Sequence, residues 1–339
     1  MRLLLTADPV GGIWTYSVEL AAALAPHGVE VHLATMGRPL SPPQRSECGV
    51  FASVSESDFP LEWMPNPWDG VDAAGQWLLD LEARLQPDVV QLGGYAHAAL
   101  PWQAPIVVVA HSDVLSWWRA VHGVAAPPEW DEYRRRVSAG LAAADRVVAP
   151  TAAVAADLSR EYGFDGACVV HSCRRAPRLS RVRKEPSVLA AGRVWDEAKN
   201  LRVLAQLTVP VVVAGEGELP GVRTLGALPP AELASLMSRA AVYAAPALYE
   251  PFGLAILEAA QAGCALVLGD LPSLRELWGD AAAFVRDVPS LQAAVAAAFA
   301  DPHAGRRAQV HAQRYLPEQT AAGYLETYAR LPAAHASSR

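Results

Sequence analysis

Short apolar runs of β type alternate with helix-type segments along this chain, and after one interruption the pattern starts again. No other feature limits the possible folds so tightly. Leu3–Thr6 reads as a strand, Ile13–Leu24 as a helix and Val29–Thr35 as a strand; Asp88–Leu92, Ile106–Ala110 and Arg146–Ala149 continue the series. Helical stretches fit near 71–85, 129–143 and 152–162. Near-continuous apolar strands separated by helices are the mark of a parallel sheet covered on both faces. The interruption is His171–Pro186, rich in Arg and Lys, with two prolines and no apolar period.

Beyond it, Ser187–Ala191, Pro210–Ala214, Ala241–Ala244, Ala265–Leu268 and Ala282–Val285 read as strands, with helices expected over 197–207, 231–240, 253–262 and 288–299. Pro317–Leu331 reads as a closing amphipathic helix. The 339 residues suit about two domains, and 52% apolar against 19% charged residues can fill two cores. The expected fold class is therefore α/β: two tandem Rossmann-like, doubly wound domains facing across a cleft. The domains are 1–170 and 187–316, joined by a linker at 171–186 and followed by 317–339. In such sheets a ligand belongs at the carboxyl ends of the strands.

Charge narrows the partners. Residues 1–170 carry 20 acidic and 10 basic side chains, whereas residues 171–339 carry 15 and 18. An acidic first half disfavours nucleic acid and anionic membrane surfaces, and a basic second half could hold an anion or simply vary in surface charge. No apolar run reaches the length of a membrane span. Cys48, Cys168, Cys173 and Cys264 form no Cys-x-x-Cys pair, so neither zinc nor a disulfide framework is expected, and a cytoplasmic setting is.

Three segments carry chemistry. Gly11-Gly12 lies between the first strand and first helix, where glycines permit close backbone approach and a helix start favours an anion. A tight turn alone would explain it equally, and no Gly-x-Gly-x-x-Gly is present. Arg193 and Lys199 follow the strand Ser187–Ala191; a planar fork and a point charge together suit a diphosphate. The chain has 26 Arg but only two Lys, yet places one at 199. The third is Tyr249-Glu250-Pro251-Phe252-Gly253-Leu254-Ala255-Ile256-Leu257-Glu258. Pro251 suits a first helical turn, which would put Glu250 at the helix entrance and Glu258 about 12 Å further along the axis. Carboxylates accept from hydroxyls and repel phosphate, so each Glu should face a sugar and the helix amides the phosphate. Glu258 could also be only the solvent face of its helix.

With these residues in hand, the chain resembles the family-four retaining glycosyltransferases of GT-B fold. The likeness runs over nearly the whole length: the Gly-Gly turn, the strand ending at His111, Gly192-Arg193 to Lys199-Asn200, Leu225-Gly226, the Glu-x7-Glu block and the closing helix. It implies that Arg193 and Lys199 grip the donor diphosphate, that Glu258 binds the ribose, and that Glu250 lies near the transferred sugar. It also implies that the amides of Phe252, Gly253 and Leu254, with Leu225 and Gly226, line the donor pocket. His111 would touch the sugar from the acceptor-side domain, and the closing helix would cross back to that domain. The implied donor is a nucleoside-diphosphate sugar, UDP- or GDP-linked, with no further cofactor. The implied acceptor is a carbohydrate or small molecule. Two departures stand out: His171-Ser172-Cys173-Arg174 replaces the frequent Asn-Gly-x-Asp, and Cys264-Ala265-Leu266 replaces a Pro-Val pair.

No Asp-x-Asp occurs, so the expectation is a metal-independent enzyme whose cations neutralise the leaving group; the family resemblance further implies retention of configuration by a front-face path. Two rivals share the architecture: a nucleotide-sugar epimerase, which needs no acceptor, and a catalytically silent nucleotide-sugar-binding protein. Eight of ten Trp lie before residue 131, either as core or as a stacking surface for an acceptor.

Overall fold

In a computed structural model, which describes residues 1–176 and 182–333, the opening apolar run becomes the centre of a sheet. Strand β1 (Arg2–Ala7) pairs in parallel with β2 (Glu30–Thr35) on one side and β4 (Val89–Leu92) on the other. β3 (Ser53–Glu56), β5 (Ile106–Val109), β6 (Arg146–Ala149) and β7 (Ala167–Val169) complete seven strands in the order β3-β2-β1-β4-β5-β6-β7. The crossovers include α1 (Gly12–Leu24), α2 (Pro42–Glu47), α3 (Trp68–Leu85), α4 (Val114–His122), α5 (Asp131–Ala143) and α6 (Ala152–Tyr162). One face packs Leu4, Val90, Val108 and Val147 against Leu78, Leu81, Val137 and Leu141 of α3 and α5. All are 2% exposed or less, so this is a dry, close-packed layer.

The second sheet repeats the plan with six parallel strands in the order β10-β9-β8-β11-β12-β13. They are β8 (Glu185–Ala191), β9 (Val211–Ala214), β10 (Arg223–Thr224), β11 (Ala240–Ala245), β12 (Ala265–Gly269) and β13 (Ala282–Val285). α7 (Pro230–Arg239), α8 (Leu254–Gln261), α9 (Pro272–Trp278), α10 (Val288–Ala300) and α11 (Ala304–His311) flank them. Alternation along the strands feeds two cores. Leu189, Tyr243, Leu266 and Leu268 meet Ile256, Leu257, Leu274 and Trp278 on one face. Val188, Val213, Val242 and Val267 meet Leu201, Leu204, Leu291 and Val295 on the other.

The chain divides into two compact units. The first holds Met1–Trp118, Ala125–Cys173 and the chain from Pro317 onward; the second holds Arg119–Val124 and the described residues of Arg174–Leu316. Helix α12 (Pro317–Ala329) thus belongs to the first unit. Its attachment is polar as well as apolar. Tyr16 and Tyr324 share a hydrogen bond between their hydroxyls, Gln91 Nε2 donates to Tyr16 Oη at 3.0 Å, and Tyr328 Oη donates to Gln91 Oε1 at 2.6 Å. Gly323 lets the helix approach closely, since a Cβ there would come within 2.8 Å of Val170.

Two sequence expectations differ from the structure. The helix expected over 197–207 is a pair of 3-10 turns, Glu197–Lys199 and Leu201–Gln206. Asn200 interrupts them at φ 50°, a conformation no α-helix accommodates. Pro251 does not open a helix either: α8 begins at Leu254, because Gly253 before it has φ 86°. Glu250 therefore sits on the loop before α8, and a helical rise does not measure its distance from Glu258. Part of the expected linker, residues 177–181, lies outside the described residues, as do 334–339. Among the described residues no helix is long and apolar enough to cross a membrane.

Candidate active site

Both strand orders reverse direction next to the first strand of the sheet, between β1 and β4 and between β8 and β11. Such a reversal leaves a crevice at the carboxyl ends of the strands, because successive helices there fall on opposite faces.

In the second unit the loop after β8 carries Arg193 and Lys199, and the loop after β11 carries Glu250. The two loops are joined by the Leu248 amide, which donates to the Ala198 carbonyl at 2.7 Å, and by Asn200 Nδ2, which donates to the Pro246 carbonyl at 3.0 Å. Lys199 Nζ then meets Glu250 Oε2 at 2.7 Å. Ser273 Oγ donates to the Glu250 carbonyl at 2.6 Å and holds that loop from α9.

Arg193 is held on two sides. Nη2 donates to Asp196 Oδ2 at 2.5 Å, and the guanidinium carbon lies 5.2 Å from the Trp195 ring centroid. Its Nε is buried with no hydrogen-bond partner. Asp196, 7% exposed, also accepts from the Ala198 amide at 3.1 Å, capping the turn that presents Lys199.

Leu225 and Gly226 directly follow β10, the outermost strand of the second sheet. Their backbone bonds reach β9 and Gly215: Leu225 N to Val213 O at 2.9 Å, and Gly215 N to Gly226 O at 2.8 Å. A Cβ on Gly215 would fall 1.8 Å from the Gly192 carbonyl oxygen, so glycine is required for the loops after β8 and β9 to touch. The Phe252 ring is buried edge-on against Tyr315, centroids 5.7 Å apart, so this residue can offer a ligand only its main chain. Gly253 caps α8, which starts at Leu254, and a Cβ on Gly253 would meet Ile256 at 2.7 Å.

Glu258, on α8, is bonded by Arg174 Nε at 2.6 Å. Arg174, Asp196 and Asn200 were missed from sequence. An Asp just ahead of a short helical turn is a legible N-cap, whereas nothing local connects residues 174 and 258.

In the first unit, Gly11 caps α1 at φ 71°, and Gly12 follows it, exposed. His111 lies just past β5, its ring edge-on to Tyr16 with centroids 4.5 Å apart. A Cβ on Gly93, after β4, would lie 3.9 Å from both His111 and Ile13. The glycine turn, the β4 loop and His111 thus share one end of this sheet. Desolvation holds the His111 imidazole down to about 4, so it is neutral near pH 7. Of the N-terminal tryptophans, Trp14 and Trp102 are core, whereas Trp63 is 43% exposed.

Two reversal crevices on two doubly wound parallel sheets place the protein in the GT-B fold class. Solved structures share that fold. Sucrose-phosphate synthase from Thermosynechococcus elongatus superposes with a TM-score of 0.77 at 19% identity, over 97% of this chain and 98% of that one. Anabaena HepE, solved with UDP and glucose, gives 0.72 at 16% identity, over 97% and 99%. Residues 10–173 match Glycosyltransferase Family 4, residues 185–301 match Glycosyl transferases group 1, and the chain belongs to the glycosyltransferases that carry these two domains. Glycogen synthase from Mycobacterium tuberculosis is 36% identical over 149 residues, 41% of this chain but only 32% of its own length. The alignment therefore spans about a third of that relative.

Proposed function

We propose that the protein is a retaining glycosyltransferase that moves a hexose-type sugar from a nucleoside-diphosphate sugar to a carbohydrate or small-molecule acceptor. The observation that carries this reading is the convergence of Arg193, Lys199 and Glu250 at the reversal point of the second sheet, with Lys199 and Glu250 2.7 Å apart. A cation pair beside a carboxylate matches a ligand that is anionic at one end and hydroxylated at the other. Arg193 and Lys199 take the diphosphate, Glu250 the transferred sugar and Glu258 the ribose hydroxyls. The main chain of Leu225, Gly226, Phe252, Gly253 and Leu254 lines the pocket. Gly11, Gly12 and the neutral His111 are the first unit's proposed sugar-binding residues.

The bond from sugar C1 to the diphosphate oxygen breaks as the acceptor oxygen bonds to C1 from the same face. The acceptor proton passes to the departing phosphate oxygen. Arg193 and Lys199 stabilise the charge that develops on that oxygen without having to reorganise. The same two cations make a metal dispensable. HepE's UDP supports a UDP-sugar, with GDP-sugar as the alternative donor. The proposed site of action is the cytoplasm.

Incubation with UDP- and GDP-sugars, with and without an acceptor panel, tests the reading. Acceptor-dependent release of nucleoside diphosphate is expected, and the anomeric configuration of the product, read by NMR, should match the donor. Acceptor-free conversion of the sugar would instead make the protein an epimerase, and binding without turnover a silent binder.

A further inference from the structure

Arg174 stands in the segment where the sequence departs from the frequent Asn-Gly-x-Asp, and the donor-site reading gives it no role. The structure binds it to α8 twice. Its Nε donates to Glu258 Oε1 at 2.6 Å, and its carbonyl oxygen accepts from Gln261 Nε2 at 2.7 Å. Residues 258 and 261 lie three apart on one helix face, so one stripe of α8 fixes both the main chain and the guanidinium of Arg174. The two side chains are 21% and 18% exposed. At that depth the pair is neither washed out by water nor burdened with full desolvation. Arg174 and Glu258 also line one cavity, whose apolar wall is formed by Pro230, Ala231, Ala234 and Met237.

A guanidinium N–H and a ribose O–H both donate to a carboxylate oxygen, and a ribose diol that engages both oxygens of Glu258 competes with Arg174 for Oε1. We propose that Arg174 is an affinity-determining residue of the donor site, which holds Glu258 Oε1 and must yield that oxygen to a ribose hydroxyl when a nucleotide binds. This rests on the assignment of Glu258 to the ribose. A ligand without those hydroxyls leaves the Arg174–Glu258 pair in place and gains nothing from its removal. The departure at residue 174 therefore weakens ribonucleotide binding specifically, rather than anion binding in general.

Calorimetry with UDP and GDP, each beside its 2′,3′-dideoxy form, separates the alternatives. In Arg174→Gln the ribonucleotide is expected to bind about two- to fivefold more tightly, the worth of a partly exposed ion pair. The dideoxy form should change by less than about twofold, as only the long-range charge differs. Arg174→Met removes the same donor with a similar stem and guards against one variant folding poorly. In a Glu258→Gln background the gain for the ribonucleotide should vanish. Weaker ribonucleotide binding in both Arg174 variants, or equal shifts for the ribo and dideoxy forms, would overturn the proposal. If Glu258→Gln alone leaves ribonucleotide affinity unchanged, the ribose assignment fails and the proposal falls with it.

Discussion

Asp196 Oδ2 accepts from Arg193 Nη2 at 2.5 Å, while Oδ1 of the same carboxylate accepts from the Ala198 amide at 3.1 Å beside Lys199. One buried side chain therefore orients a guanidinium directly and an ammonium through its turn. Asp196→Asn keeps an acceptor for the cap and loses the charge facing Arg193; Asp196→Ala loses both. The expected order of donor KM is parent, then Asn, then Ala, with the Ala variant also lower in kcat. Steady-state kinetics with the active donor checks it, and equal values for all three would show that Asp196 orients neither cation.

Lys199 Nζ donates to Glu250 Oε2 at 2.7 Å. Lys199→Ala and Arg193→Ala are each expected to raise donor KM and lower kcat. A hydrogen bond to a charged group contributes about 1.5–3 kcal/mol, so kcat/KM should fall by roughly ten- to a hundredfold in each variant. Unchanged donor kinetics in both would remove the diphosphate assignment.

Turnover is expected to survive a chelator. The sequence has no Asp-x-Asp, and among the described residues no group of three His, Cys, Asp or Glu could hold a metal ion. The rate with EDTA should match the rate with added Mg²⁺ or Mn²⁺. Loss of activity on chelation with rescue by either ion would defeat the metal-independent reading.

Desolvation places the His111 imidazole at about 4, against an ordinary 6.5. Between these values the unfolded chain binds a proton that the folded chain does not, so this contribution to stability decreases as pH drops from 6.5 towards 4. Above that window it is constant. Replacing His111 by Phe should therefore shrink the loss of Tm between pH 7 and about pH 4.5. A parallel Tm profile in the variant would show that His111 is not desolvated.

The hydroxyls of Tyr16, Tyr324 and Tyr328 and the Gln91 amide form one buried network. Tyr328→Phe leaves Gln91 Oε1, in a residue 0% exposed, without the donor it now has. A cost of about 1–3 kcal/mol is expected from denaturant unfolding, because a buried unsatisfied group forfeits its hydration. Tyr324→Phe should cost a comparable amount. Truncation before Pro317 removes both tyrosines and is expected to destabilise the first unit outright. A truncated chain as stable as the parent would contradict this.

The sequence alone determined the two repeats of parallel strands and helices, because burial on both faces of a sheet demands apolar runs that local composition displays. It also offered Arg193, Lys199, Glu250 and Glu258 as candidates, because the chemistry of such side chains is legible wherever they lie. Short-range geometry was less legible. Asn200 and Gly253 adopt positive φ, and those backbone choices broke one expected helix and delayed another. Pairings across long stretches of chain were decided by tertiary structure alone. Arg174 reaches Glu258 across 84 positions, and Tyr16 reaches Tyr324 across 308. Each needs two surfaces to be packed together before its hydrogen bond can form, and no local pattern in the chain encodes that. Local preference set the elements here; close packing chose which of their polar groups meet.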